Sequence, residues 1–221
     1  MNVSATQQDL VRKAARALAD AGLVHAYGHC SLRLDDLHFL VCAALPMGRI
    51  ADEPGRVVAL DGPLPDGVLG EVRVHREIYR RRPAVGGVCR IMPPATMALS
   101  TAGLVPRPRH GIGAYFDRLP FWDDPRLLRD DDAAARLADA LGDAPAVVMR
   151  GNGAVTVGDG LEQAVTLAWF LEDAARVERD TRAMGLSAES GLLSADEIAA
   201  RQLWSGGVAE RMWHHLTGMP A

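Results

Sequence analysis

Lysine is all but missing from this 221-residue sequence, in which Lys13 stands alone among 24 basic residues. Schiff-base catalysis needs a lysine desolvated in a pocket. Lys13 falls in a first helix beside Arg12, Arg16 and Asp20, so that mechanism is not expected. Cysteine is scarce as well. Cys30, Cys42 and Cys89 are odd in number, widely spaced and set in apolar surroundings. They read as reduced buried thiols, and without a Cys-x-x-Cys pair they give no zinc-site signal. No uninterrupted apolar run approaches the roughly 18 residues needed to cross a bilayer. The first residues, Met1 to Gln7, lack a basic region followed by an apolar one, so no signal peptide is expected and a cytoplasmic location is the default. Basic charge is not in excess either, and a net charge of -4 argues against a nucleic-acid surface. Internal repeats, low-complexity tracts and interdomain linkers are missing too.

What is present is an ordinary globular balance, 48% hydrophobic and 24% charged, able to bury a real core. The length fits one domain over residues 1–221. Ser4 with Gln7 predicts a capping box for a helix that runs to about Ala21 and stops at Gly22. Gly28 to Leu34 and His38 to Cys42 read as strands joined at Asp35-Asp36, and Arg56 to Leu60 as a third strand. Gly86 to Ile91 is a strand, and Pro93 or Pro94 starts a helix reaching about Thr101. The proline-rich segment from Leu104 to Arg129 reads as ordered loop with one short strand. Asp131 to Leu141 is a helix, and Ala146 to Arg150 and Ala154 to Val157 are strands around a Gly151-Asn152-Gly153 turn. Asp159 with Glu162 predicts a capping box for the longest helix. A last helix from Ser194 carries Trp204, Trp213, His214 and His215 on its exposed end. Alternation of strands and helices with several hairpins predicts an α/β chain with a mixed or antiparallel sheet and helices on both faces.

The informative stretch is Gly70 to Tyr79 followed by Val88-Cys89-Arg90-Ile91-Met92-Pro93-Pro94. Glu71, His75 and Ile78 fall at i, i+4 and i+7, which predicts one shared face of a helix ending near Arg82, before Pro83. The apolar strand that follows stops at two prolines, which cannot continue a sheet ladder. A carboxylate on a helix beside a strand end makes an active-site corner.

These residues resemble the class II aldolase/adducin family, whose members carry a Glu four residues before a His, a strand ending His-x-His-Pro, and a later Asn-His-Gly. The resemblance spans roughly Leu10 to Gly185, with a helical tail over 190–217 outside it. It implies a single three-layer α/β/α domain, a divalent metal held by three histidines, and a homotetramer with the site at a subunit boundary. The loop at 115–122 and the tail tryptophans are compatible with such an interface. Here the Glu is kept as Glu71, but Arg90, Met92 and Asn152 stand where the three histidines would be. Imidazole suits such a metal, a thioether is too soft, and a guanidinium has no lone pair to donate. Loss of the metal is therefore expected, and no cofactor is predicted.

The guanidinium has uses of its own. It is a permanent cation with a planar fork of donors that matches a carboxylate or an enolate. Arg90 is read either as an anion anchor in place of the metal or as a structural partner that neutralises Glu71. The family's phosphate-holding segments correspond to Gly28-His29, Cys42-Ala43-Ala44-Leu45 and Leu69-Gly70, where hydroxyl donors have given way to apolar side chains. A greasier pocket with an added arginine suits an apolar or aromatic carboxylic acid better than a phosphosugar. Glu71 is expected to move a proton, Arg90 to hold the anion, and Asn152 to donate a hydrogen bond. His29 is read as an accessory acid or base or as a hydrogen-bonded turn histidine, and His75, one helical turn after Glu71, as a buried structural partner. Tyr115 corresponds to the family's aromatic hydroxyl in the loop that reaches the site. Gly28, Ser31, Cys42, Met92 and His75 are placed around the substrate.

The leading expectation is a metal-independent lyase, cleaving a carbon–carbon bond or removing CO2, on a small non-phosphorylated carboxylate. One alternative is an adducin-like scaffold without catalysis. The other is a metal-dependent lyase with ligands relocated to Glu71, His29, His75 or a cysteine.

Overall fold

A computed structural model describes residues 3–218. The first helix, α1 (Ala5–Asp20), opens with the Ser4–Gln7 capping box and buries Val11, Ala14, Ala15 and Leu18. It closes where Gly22 takes a φ of +69° and the Leu23 N–H returns to the Leu18 carbonyl at 2.9 Å. Two hairpins follow, β1 (His29–Arg33) with β2 (His38–Val41) and β2 with β3 (Arg56–Ala59). Next come α2 (Arg73–Arg81), β4 (Gly87–Ile91), α3 (Pro94–Thr101), β5 (Phe121–Trp122) and α4 (Asp131–Leu141). The chain ends with β6 (Ala146–Met149), β7 (Ala154–Gly158), α5 (Leu161–Ala183), α6 (Ala195–Arg201) and α7 (Val208–Thr217).

The seven strands form one sheet in the order β3-β2-β1-β4-β7-β6-β5. All neighbours are antiparallel except β5 and β6. The central strand β4 is buried at all five positions, as a strand covered on both faces must be. Alternation along β1 decides which side chains meet which layer. Cys30 points to α1, where its thiol meets the Val11 carbonyl, whereas His29, Ser31 and Arg33 point to α2. The helices α1 and α5 cover one face, and α2 packed on α4 covers the other.

Three local expectations fail for physical reasons. Glu71 is not on the helix: Gly70–Val72 is a 3-10 turn, α2 begins at Arg73, and only His75 and Ile78 share its buried side. The Asp159–Glu162 box does not form, because Gly160 occupies the N-cap of α5 and the Asp159 N–H donates to Gln163 instead. That corner is set by packing, since a Cβ on Gly86 or Gly87 would collide with the backbone of Asp159 to Leu161. The last predicted helix is two. Its Ser194–Glu197 box forms, but Gly206 and Gly207, at φ +80° and +72°, interrupt it before α7. Trp213 is buried rather than exposed, and Trp204 packs on Tyr115 with ring centroids 4.7 Å apart. These aromatics are therefore spent within the chain. Among the described residues no helix is long and apolar enough to cross a membrane.

Candidate functional site

A cavity of about 460 Å³ lies on the α2 side of the sheet, at the ends of β1, β4 and β7. It is lined by Gly28, His29, Glu71, Arg90, Met92 and Asn152, with Ala26, Tyr27, Ala44, Leu45, Pro46, Leu69, Gly70, Leu127 and Arg129 completing the wall and mouth. Sheet register brings the inner residues together. His29 on β1 is directly opposite Arg90 on β4, and the turn carrying Asn152 joins β6 to β7 beside β4. Two glycines allow this close approach. Gly28, at φ +145°, has no room for a Cβ between the Val24 side chain and the Arg90 carbonyl. Gly153, at φ +73°, lies so close to the Ile91 carbonyl that a Cβ would overlap it.

Arg90 is only 3% exposed. Its two terminal nitrogens donate to the Asn152 Oδ1 and to the Ile91 carbonyl, each at 2.7 Å. Its Nε is buried without a hydrogen-bond partner and stands 3.9 Å from Glu71 Oε2. Burial lowers the Arg90 pKa and the Glu71 charge opposes that shift. Asn152 accepts from Arg90 through Oδ1, which leaves its amide N–H₂ free to donate to a ligand.

Behind Arg90 runs a chain of hydrogen bonds. His29 Nδ1 meets His75 Nε2 at 2.8 Å, His75 Nδ1 meets Ser31 Oγ at 2.6 Å, and Ser31 Oγ meets the Tyr79 hydroxyl at 2.9 Å. Burial is the main reason that His75 is pushed down to about 3, with the Arg90 charge adding to it. His29 is lowered well below its usual value by burial, then by His75 and Arg90. Both imidazoles are therefore neutral bases at neutral pH.

Several expected contacts lie elsewhere. Ser31 on β1 and His75 on the buried side of α2 lie behind His29, and Cys42 is packed against Cys30, so none of the three lines the cavity. Tyr115 does not reach it within the chain. Its hydroxyl donates to the Leu203 carbonyl, and its ring packs on Phe170 and Trp204. Conversely, Arg129 was not foreseen. It is exposed at the cavity mouth, with no acidic partner within ion-pair distance among the described residues. Tyr27, Leu45, Leu69 and Leu127, all exposed and apolar, surround the same mouth. They sit in irregular segments, where no periodicity marks a shared surface.

The donor set does not suit the divalent metal implied by the resemblance. Arg90 has no lone pair, Met92 offers a thioether, and Asn152 Oδ1 is already taken by Arg90. Nor do relocated ligands converge: among the described residues no three or more His, Cys, Asp or Glu side chains stand close enough to hold an ion. His75 Nε2 faces His29, and all three thiols are buried away from the cavity.

The fold is that of the class II aldolases. The chain belongs to the family described as the class II aldolase and adducin N-terminal domain, which matches residues 9–178. It is 30% identical to 3,4-dihydroxyphthalate decarboxylase of Terrabacter sp., over 96% of this chain and 95% of that protein. A 3,4-dihydroxyphthalate decarboxylase of Rhodococcus jostii is 31% identical over 76% of this chain and 77% of its own length. Among solved structures, L-fuculose-1-phosphate aldolase from Thermus thermophilus is 29% identical with a TM-score of 0.74, covering 82% of this chain and 97% of that one. An aldolase II superfamily protein from Pseudomonas syringae shares the fold, at a TM-score of 0.79 and 24% identity, over 97% of this chain and 93% of its own.

Proposed function

We propose that the chain is a decarboxylating lyase for a hydroxylated benzene carboxylate, working without a metal ion. The observation that carries this reading is the buried Arg90, whose Nε–H lacks a partner inside an apolar-walled cavity. A buried donor on a cation is costly to leave unmade, and an incoming anion removes that cost. Apolar walls at Leu45, Leu69, Leu127 and Met92 suit an aromatic ring. Arg129 at the mouth supplies a second cation, which fits a benzene dicarboxylate of the kind named for the decarboxylases above. If Arg90 served only to neutralise Glu71, a closed bidentate pair would be expected; the single 3.9 Å approach beside an open cavity favours a guanidinium that also takes a ligand.

In this reading Arg90 holds a carboxylate or ring oxygen and fixes the ring. Glu71 passes a proton, taken from water, to the ring carbon that carries the departing carboxylate. A hydroxyl ortho or para to that carbon supplies the electron pair. The carbon–carbon bond then breaks, its electrons restore the aromatic ring, and CO2 leaves. Glu71 takes a new proton from water. The test is incubation of the purified chain with 3,4-dihydroxyphthalate and its monocarboxylate analogues, following CO2 by mass spectrometry and the aromatic product by chromatography. CO2 release that disappears in Glu71→Gln supports the reading. A substrate recovered intact, with no carboxylate binding by calorimetry, would remove it.

A further inference from the structure

Two residues that line the cavity each keep a buried side-chain nitrogen without a partner, and they lie directly opposite one another on β1 and β4. One is Arg90 Nε and the other is His29 Nε2. The first must be a donor. The polarity of the second is fixed by the chain of hydrogen bonds behind it. Tyr79 gives its only hydroxyl hydrogen to the Ser31 carbonyl at 3.0 Å, so its oxygen accepts from Ser31 Oγ. Ser31 has then spent its hydrogen and accepts from His75 Nδ1–H. His75 Nε2 is left bare and accepts from His29 Nδ1–H. His29 Nε2 consequently carries the lone pair, on a residue that lines the cavity. Burial keeps both rings uncharged, so nothing interrupts this order at neutral pH.

Resting on the decarboxylase reading above, we propose that His29 selects a substrate bearing a hydroxyl ortho or meta to the carboxylate held by Arg90, by accepting that hydroxyl's hydrogen. Cross-strand partners have Cβ atoms about 4.5–5.5 Å apart, and His29 and Arg90 are such partners. A hydroxyl beside the carboxylate therefore meets His29 when the carboxylate meets Arg90. The contact also serves the chemistry. A phenol that donates to a base pushes electron density onto its ortho and para ring carbons, where the proton has to be added. His75, Ser31 and Tyr79 are positioning residues that hold the tautomer.

Calorimetry on the full chain tests this with benzoate, its 2- and 3-hydroxy derivatives and the matching methyl ethers. At least one hydroxybenzoate should bind about tenfold tighter than both benzoate and its own ether, a difference of roughly 1.4 kcal/mol. His29→Phe should bring each hydroxybenzoate within about twofold of its own methyl ether. Nitrogen-15 spectra of the histidines should show a bare Nε2 and a protonated Nδ1 for His29, a readout that needs no variant. An ether that binds as well as its phenol, or a protonated Nε2, would overturn the assignment while leaving the carboxylate site intact. Failure of benzoate itself to bind would remove the carboxylate site and the His29 assignment together.

Discussion

Replacing Arg90 by methionine should separate ligand binding from stability. In the free chain the guanidinium makes two charge-assisted hydrogen bonds, to Asn152 and Ile91. Their loss costs about 1.5–3 kcal/mol each. Against this stands the penalty of keeping a cation at 3% exposure with one N–H unpartnered, several kcal/mol by the usual reckoning for a buried ion. The cavity is open, so water can take up the acceptors that Arg90 releases. The two contributions nearly cancel, and Arg90→Met should unfold in urea within about 2 kcal/mol of the parent. Binding behaves differently. Removing the cationic partner of a buried carboxylate costs about 2–5 kcal/mol, which is at least roughly 30-fold in Kd. Arg90→Lys keeps the charge and loses the fork, so it should fall between the two. Calorimetry with a benzene carboxylate, paired with urea unfolding of the same samples, measures both quantities. Carboxylate affinity in Arg90→Met within about threefold of the parent would refute the anion-site argument.

Three further outcomes follow from the geometry. Dialysis against a chelator should change neither decarboxylation nor thermal stability, and elemental analysis of protein purified without chelator should find well under one zinc, manganese or iron per chain; near-stoichiometric metal would contradict the donor-set argument. Stability should fall with pH more steeply in the parent than in His75→Gln. The unfolded imidazole takes up its proton near pH 6.5, but the folded one does not until about 3. The contribution is therefore intact above 6.5 and is lost below it at up to about 1.4 kcal/mol per pH unit. Equal slopes in urea titrations between pH 7 and 4 would count against a neutral buried pair. Gly153→Ala should cost at least about 2 kcal/mol, from the left-handed backbone and the overlap with the Ile91 carbonyl; a loss under about 0.5 kcal/mol would show that the turn is free to relax.

Local signals in the sequence were enough for most elements. The helix at Asp131–Leu141 and the boxes at Ser4 and Ser194 follow from caps and spacing that act within one turn. The meeting of Arg90 and Asn152 was legible through the family resemblance, which puts both at positions of its metal-binding histidines. Glu71 was assigned to the wrong element, since a 3-10 turn and a first helical turn share the same spacing over three residues. Tyr115 was misplaced because its position is decided by Leu203 and Trp204, far along the chain. Ser31 and His75 have the polarity of ligand-binding groups, but that α2 packs on β1 and buries both between them is a tertiary matter. Arg129 belongs to a segment without periodicity, and only packing puts it at the cavity mouth.

The order of strands across the sheet also governs when the site comes into being. His29, Arg90 and Asn152 come from β1, β4 and the turn before β7, yet they meet only through β1–β4 and β4–β7 pairing. Such non-local pairings close slowly, because long loops must be ordered before any contact rewards them. During synthesis Arg90 leaves the ribosome 62 residues before the asparagine that holds it. Until then its guanidinium belongs in water, and β4 cannot bury it without loss. Burial of the cation and completion of the pocket are thus one event, because the turn that satisfies Arg90 is also the turn that closes the cavity's inner wall.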